Sequence, residues 1–168
     1  KLGYVFKTET DTEVIANLIH YYRKEKSLSD AARSAFMELE GRNAIVLGER
    51  NSPYLIGMRQ GSPLIVGIEE GSGFFIASDI PAFFHHTKVV NYLDDGEMVI
   101  IKDSIPIERK IYSIRDGQEI EKRSIKIQWS VEDAEKGTYD YFMMKEIMDQ
   151  KETLQRAINQ DEKNLEEI

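Results

Sequence analysis

The residues with the most chemistry to offer lie near the start of the chain. The stretch KTETDTEVIANLIHYY, residues 7–22, sets three threonines and three acids just ahead of an apolar-periodic run. Val14, Ile15, Leu18, Ile19 and Tyr22 recur at helical spacing and fall on one face. Thr10 followed by Glu13 reads as a capping box, in which side chains satisfy the orphan amides of a first helical turn. Asp11 and Glu13 then sit near the positive end of the helix dipole. An acid at such a place is commonly a first-turn residue and nothing more, and the local pattern alone favours that reading. The other reading is a carboxylate held in a fixed direction and aimed at a ligand.

Other groups offer less. His20, His85 and His86 are the only histidines, and neither His-x-His nor His-x-x-x-His spacing occurs, so no metal site is expected on them. His85 and His86 close a short helical stretch, where an imidazole suits the negative end of the dipole. GSPLIVG and GSGFF carry turn glycines but lack the Lys-Ser/Thr of a phosphate loop. Met143, Met144 and Met148 sit at helical spacing and read as packing residues. Trp129 reads as a core or interface anchor, and Glu69, Glu70, Asp94 and Asp95 as solvated turn acids. The chain has no cysteine, which excludes disulfides, thiolate metal ligands and a cysteine nucleophile within these residues. The residues alone place no nucleophile beside a base.

The elements that must position these groups follow from periodicity and turn signals. Residues 10–25 read as a first helix. SLSDAARSAFMELEG reads as a second, with Ser27 or Ser29 as cap, Ala32, Phe36 and Leu39 on one face, and Gly41 as stop. NAIVLGE, YLIGMR, PLIVGIE and GFFIAS are short β-rich runs separated by RNSP, QGSP and EGSG, a spacing that predicts an antiparallel meander. SDIPAFFHH reads as a short helix capped by Ser78 or Asp79, with Pro81 in its first turn. KVVNYL and EMVIIK are split by DDG, a hairpin signal. IERKIYSI and EIEKRSIKIQW are split by RDGQ. The last run, TYDYFMMKEIMDQKETLQRAIN, returns to helix. Tyr139, Met143 and Ile147 mark one side and, after a break, so do Leu154 and Ile158. Helices segregated from roughly eight antiparallel strands predict a layered α+β domain.

The chain has 168 residues, of which 41% are hydrophobic and 31% charged, enough for one domain with a core. Its net charge of −8, with no basic run, argues against a nucleic-acid or anionic-membrane partner. No apolar stretch reaches the length of a membrane span and no signal-peptide pattern opens the chain, so a cytoplasmic location is expected. Residues 1–158 are expected to form the domain, and 159–168 the start of a polar linker or tail.

Several stretches, taken together, resemble a known family. GYVFKTETDTEVIANLI, RQGSPLIVGIEEGSGFFIASD, LDDGEMVII and KGTYDYFMMKEIMDQ are similar, in the right order, to the glutaminase domain of the glutamine–fructose-6-phosphate aminotransferases, which make glucosamine 6-phosphate. The similarity runs to about Ile158. The Thr-Asp-Thr-Glu segment is shared more loosely by other class II glutaminases, such as amidophosphoribosyltransferase and asparagine synthetase. Arg59-x-Gly-Ser-Pro-Leu and Met143-x-Lys-Glu-Ile are more particular to the aminotransferases.

The resemblance implies a four-layer αββα sandwich of the amino-terminal-nucleophile hydrolase type, here only in part. It implies glutamine as substrate, hydrolysed through a thioester on an amino-terminal cysteine whose own α-amino group is the base, with ammonia passing to a sugar-phosphate isomerase domain. No cofactor is implied. The family's nucleophile, its oxyanion-hole Asn-Gly and the arginine that grips the glutamine carboxylate would lie upstream of Lys1, which has neither thiol nor hydroxyl. No catalytic residue is therefore expected in this chain. Losing one oxyanion donor costs roughly 100- to 1000-fold in rate, so these residues are expected to be inert alone. One family site residue aligns: Asp11 matches the aspartate that binds the α-amino group of glutamine, a charge-assisted contact. Thr12 and Glu13 keep structural roles. In this reading the partners are the upstream part of the domain and a downstream isomerase domain. Self-association through an open sheet edge is also expected, with a homodimer among its forms. Two other readings stay open: the glutaminase domain of a different class II amidotransferase, and a non-catalytic binding module of the same fold.

Overall fold

The computed structural model describes residues 3–69, 71, 73–128 and 137–158. Trp129 and the 159–168 tail lie outside these described residues. Two compact units are distinguished, residues 1–127 and 128–168, and each is taken by itself.

The first unit begins with α1 (Asp11–Arg23) and α2 (Leu28–Phe36). Ser27 caps α2, its Oγ accepting the Asp30 amide at 3.2 Å. The second helix is shorter than its sequence suggests. Gly41 has the positive φ of a stop signal (82°), but the helix ends five residues earlier, at Phe36. Met37 and Glu38 form an exposed turn, and Leu39 then returns to the core. Ala31, Ala32 and Ala35 are completely buried, and Ala32 belongs to the cluster that packs on the sheet.

Among the described residues nine strands follow: β1 (Asn43–Gly48), β2 (Tyr54–Gln60), β3 (Ile65–Glu69), β4 (Gly73–Ala77), β5 (Val89–Tyr92), β6 (Glu97–Lys102), β7 (Glu108–Ser113), β8 (Glu119–Ile120) and β9 (Ile125–Lys126). They form two antiparallel sheets rather than one meander. The first has the order β1-β2-β6-β7-β8 and the second β4-β3-β5-β9. Leu28, Ala32 and Phe36 of α2 pack on Ile56, Met58 and Met98 on one face of the first sheet. Leu64, Val66, Leu93, Val99, Ile101 and Ile111 fill the space between the sheets, where each fully buried aliphatic contributes about 1.5–3 kcal/mol.

The DDG segment does not make a hairpin. It carries the chain from β5 in the second sheet to β6 in the first. Leu93 is completely buried between the sheets, and the turn after it is pinned elsewhere. Asp95 Oδ1 accepts the Gly61 amide at 2.8 Å and pairs with Arg59, while Glu97 Oε2 accepts the Asp94 amide at 2.7 Å. EIEKRSIKIQW likewise divides between sheets, as β8 and β9. The expected short helix around Pro81 is a single 3-10 turn, Ile80–Ala82, capped by Asp79 Oδ1 on the Ile80 amide. Phe83 and Phe84 follow it and are buried.

In the second unit, α3 (Phe142–Ile158) is one continuous helix. The break expected between Ile147 and Leu154 is absent, and Tyr139 precedes the helix. Met143, Ile147, Leu154 and Ile158 fall on one side of it.

Candidate functional site

The segment ahead of α1 is tied down by Glu13. Its carboxylate reaches back past the helix start and accepts the Lys7 amide at 2.8 Å, the Thr8 amide at 2.7 Å and the Thr8 hydroxyl. These bonds, the Thr8 hydroxyl first, hold the Glu13 carboxyl below the usual carboxylate range. The capping box read from Thr10 and Glu13 is therefore displaced by two residues. Thr10 occupies the cap position with extended backbone, but its side chain makes no cap bond. Its hydroxyl lies 2.9 Å from that of Thr8 instead. The repeat of threonines at every second position offers Glu13 more than one hydroxyl, and Glu13 takes that of Thr8.

Farther back, the Tyr4 hydroxyl meets His20 Nδ1 at 2.8 Å and the two rings pack edge-on. The leading segment thus runs back alongside α1. An apolar groove of about 490 Å³ lies there, lined by Tyr4, Phe6, Val14, Asn17, Leu18 and Glu38.

Asp11 is the first residue of α1 and is exposed. The Thr12 hydroxyl approaches Oδ1 at 3.4 Å, a weak contact that leaves most of the carboxylate's acceptor capacity open. Its neighbour Glu13 is committed to the clamp, so the two acids of the first turn are divided between structure and an available charge. A carboxylate at this position, on a helix end whose entry is fixed, can receive an ammonium group with little loss of freedom on binding.

The histidines behave as structural residues. His86 stacks on Phe75 with ring centres 4.8 Å apart, and His85 packs edge-on against Phe84. Among the described residues no group of His, Cys, Asp or Glu side chains is arranged to hold a metal ion. No helix among them is long and apolar enough to cross a membrane.

Residues 1–85 match the model of the glutamine amidotransferase domain. The chain is 41% identical to a glutamine–fructose-6-phosphate aminotransferase (isomerizing) of Methanothermobacter thermautotrophicus over 86% of its length, and 40% identical to that of Thermococcus kodakarensis over 95%. With the enzyme of Caldanaerobacter subterraneus subsp. tengcongensis it shares 43% identity over 99% of its length. The chain spans about a quarter of these relatives, 24%, 26% and 27% of their respective lengths. Among solved structures, glutamine phosphoribosylpyrophosphate amidotransferase from B. subtilis, complexed with ADP and GMP, superimposes with a TM-score of 0.55. The match has 29% identity over 67% of this chain and 24% of that one. The layered α+β architecture is the amino-terminal-nucleophile hydrolase type expected from the sequence. The chain belongs to the glutamine amidotransferase domain family.

Proposed function

We propose that the chain is the glutaminase portion of a glutamine–fructose-6-phosphate aminotransferase, and that Asp11 binds the α-ammonium of glutamine within it. The observation that carries the role of Asp11 is the division of labour at the helix start: Glu13 is spent on Lys7 and Thr8, while Asp11 stands exposed and open. The aminotransferase reading, rather than a purine-pathway one, is supported by identities near 40% over most of the chain. The amidophosphoribosyltransferase match is 29% over two thirds. In this reading residues 1–158 belong to the domain, 159–168 begin a linker, and the parent enzyme works in the cytoplasm. The 168 residues contain no cysteine, so the thiol nucleophile comes from elsewhere in the parent, as does the isomerase that consumes the ammonia.

The test is steady-state kinetics of Asp11→Ala in the parent enzyme. A lost ammonium–carboxylate contact should raise KM for glutamine about 10- to 100-fold. Synthesis driven by free ammonia should be unchanged. An unaltered KM would remove Asp11 from the site.

A further inference from the structure

The first turn of α1 lacks the fastening that a helix start ordinarily has. Thr10 stands at the cap position, and its side chain bonds no amide of the turn. The backbone bond from the Glu13 amide to the Thr10 carbonyl is long, at 3.3 Å. First-turn amides have no partner inside a helix, so an unfastened turn frays from its end. Asp11 is the first residue of that turn. Its direction is therefore only as fixed as the entry of the chain into α1.

The entry is fixed by Glu13 instead. Oε1 accepts the Lys7 amide, and Oε2 accepts both the amide and the hydroxyl of Thr8. With its proton given to Glu13, the Thr8 hydroxyl can only accept from the Thr10 hydroxyl, 2.9 Å away. The Thr10 amide also approaches it, at 3.4 Å. A continuous path results: Glu13 holds Thr8, Thr8 holds Thr10, and Thr10 is joined covalently to Asp11. The Asp11 carboxylate takes no part in these bonds; the Thr12 hydroxyl approaches it instead. Glu13 can thus set where Asp11 points without competing for what it binds. The clamp requires a carboxylate, because its two oxygens accept three donors. A glutamine in its place offers a single acceptor oxygen, and its NH2 group would face a donor.

We propose that Glu13 is a positioning residue for glutamine binding: through Thr8 and Thr10 it fixes the direction in which Asp11 presents its carboxylate to the α-ammonium. The proposal rests on the reading of Asp11 as the ammonium ligand. Order set beforehand need not be imposed at binding, so the clamp strengthens the contact without touching the ligand.

The test is steady-state kinetics of the full-length enzyme, with 4-carbamoylbutanoate, which lacks only the α-amino group of glutamine, as competitive inhibitor. Glu13→Gln should raise KM for glutamine about 3- to 10-fold, less than the loss of Asp11 itself, with kcat held within about twofold. The inhibition constant of 4-carbamoylbutanoate should not move, whereas a general loosening of the domain would raise it. In an Asp11→Ala background Glu13→Gln should do nothing further. Thr8→Val breaks the hydroxyl link and leaves the Glu13 charge, so it should give a smaller rise of the same kind. Equal weakening of glutamine and 4-carbamoylbutanoate, an unchanged KM in Glu13→Gln, or the same rise with and without Asp11 would overturn the proposal. So would a rise in Glu13→Gln with none in Thr8→Val, since the Glu13 charge would then act on the ammonium directly. The Asp11 reading fails separately. It falls, and takes this proposal with it, if Asp11→Ala leaves the preference for glutamine over 4-carbamoylbutanoate intact.

Discussion

Gly67 offers a sharp test of how the second sheet carries its outer cover. It lies in the middle of β3, and a Cβ there would meet Phe83 Cδ2 at 2.8 Å, Phe83 Cε2 at 2.9 Å and Thr87 Cγ2 at 3.1 Å. Phe83 is 2% exposed and Thr87 is held by its own hydrogen bond to the Ile68 carbonyl, so neither can step aside freely. Overpacking of this kind costs about 1–3 kcal/mol. A Gly→Ala change also removes freedom from the unfolded chain, which offsets about 0.4–1 kcal/mol. The net destabilisation expected for Gly67→Ala is about 1–2 kcal/mol, a fall in Tm of about 2–8 °C for a chain of this size.

Urea titration followed by circular dichroism would measure it, with an unchanged slope showing that the midpoint shift is a stability effect. The decisive comparison is the same change in a Phe83→Leu background, where the ring edge is gone. There Gly67→Ala should cost little, giving a coupling of about 1 kcal/mol or more. A neutral Gly67→Ala, or an equal cost in both backgrounds, would refute the close approach of the Phe83 turn to β3.

Further outcomes follow from the same geometry. Lys122 joins Asp94 and Glu97 at 2.7 and 2.5 Å, but the Glu97 side chain is 9% exposed and that of Asp94 75%. Lys122→Ala strands a buried carboxylate and should cost about 3–5 kcal/mol, whereas Asp94→Ala should cost under about 1 kcal/mol; denaturant midpoints would rank them. Ser27→Ala removes the cap of α2 and should cost about 1 kcal/mol, read in the same titration. The Glu13 carboxyl is held below its ordinary value, so its clamp adds stability above that value and loses it as pH falls through the lowered one. The Thr8 amide resonance should therefore titrate with a midpoint below 4.5, and Glu13→Gln should abolish that step.

Much of the fold can be read from local pattern. β1 alternates half-buried and exposed residues as a half-covered strand should, and the aliphatic run before Gly67 marks β3. Pairing is less accessible. DDG announces a turn, yet turn chemistry does not say which strands it joins. That was decided by Leu93, whose burial between the sheets depends on residues far away in sequence. The end of α2 was misread for a related reason: Gly41 has the right backbone, but core contact stops at Phe36 and resumes only at Leu39. At the candidate site, periodicity located Asp11 at a helix start, and the structure kept it there. Its proposed ligand came from family resemblance, because a first-turn acid looks the same whether it serves the helix or a substrate. The clamp of Glu13 on Thr8 was missed because a capping box and a longer reach share one sequence pattern.

The central claim is that the Asp11 carboxylate meets the ammonium of glutamine. Calorimetric titration of the full-length enzyme with glutamine and with 4-carbamoylbutanoate, which lacks only the α-amino group, isolates that contact. The wild type should prefer glutamine about 10- to 100-fold, and Asp11→Ala should bind the two nearly equally. A preference for glutamine that survives in Asp11→Ala would contradict the account.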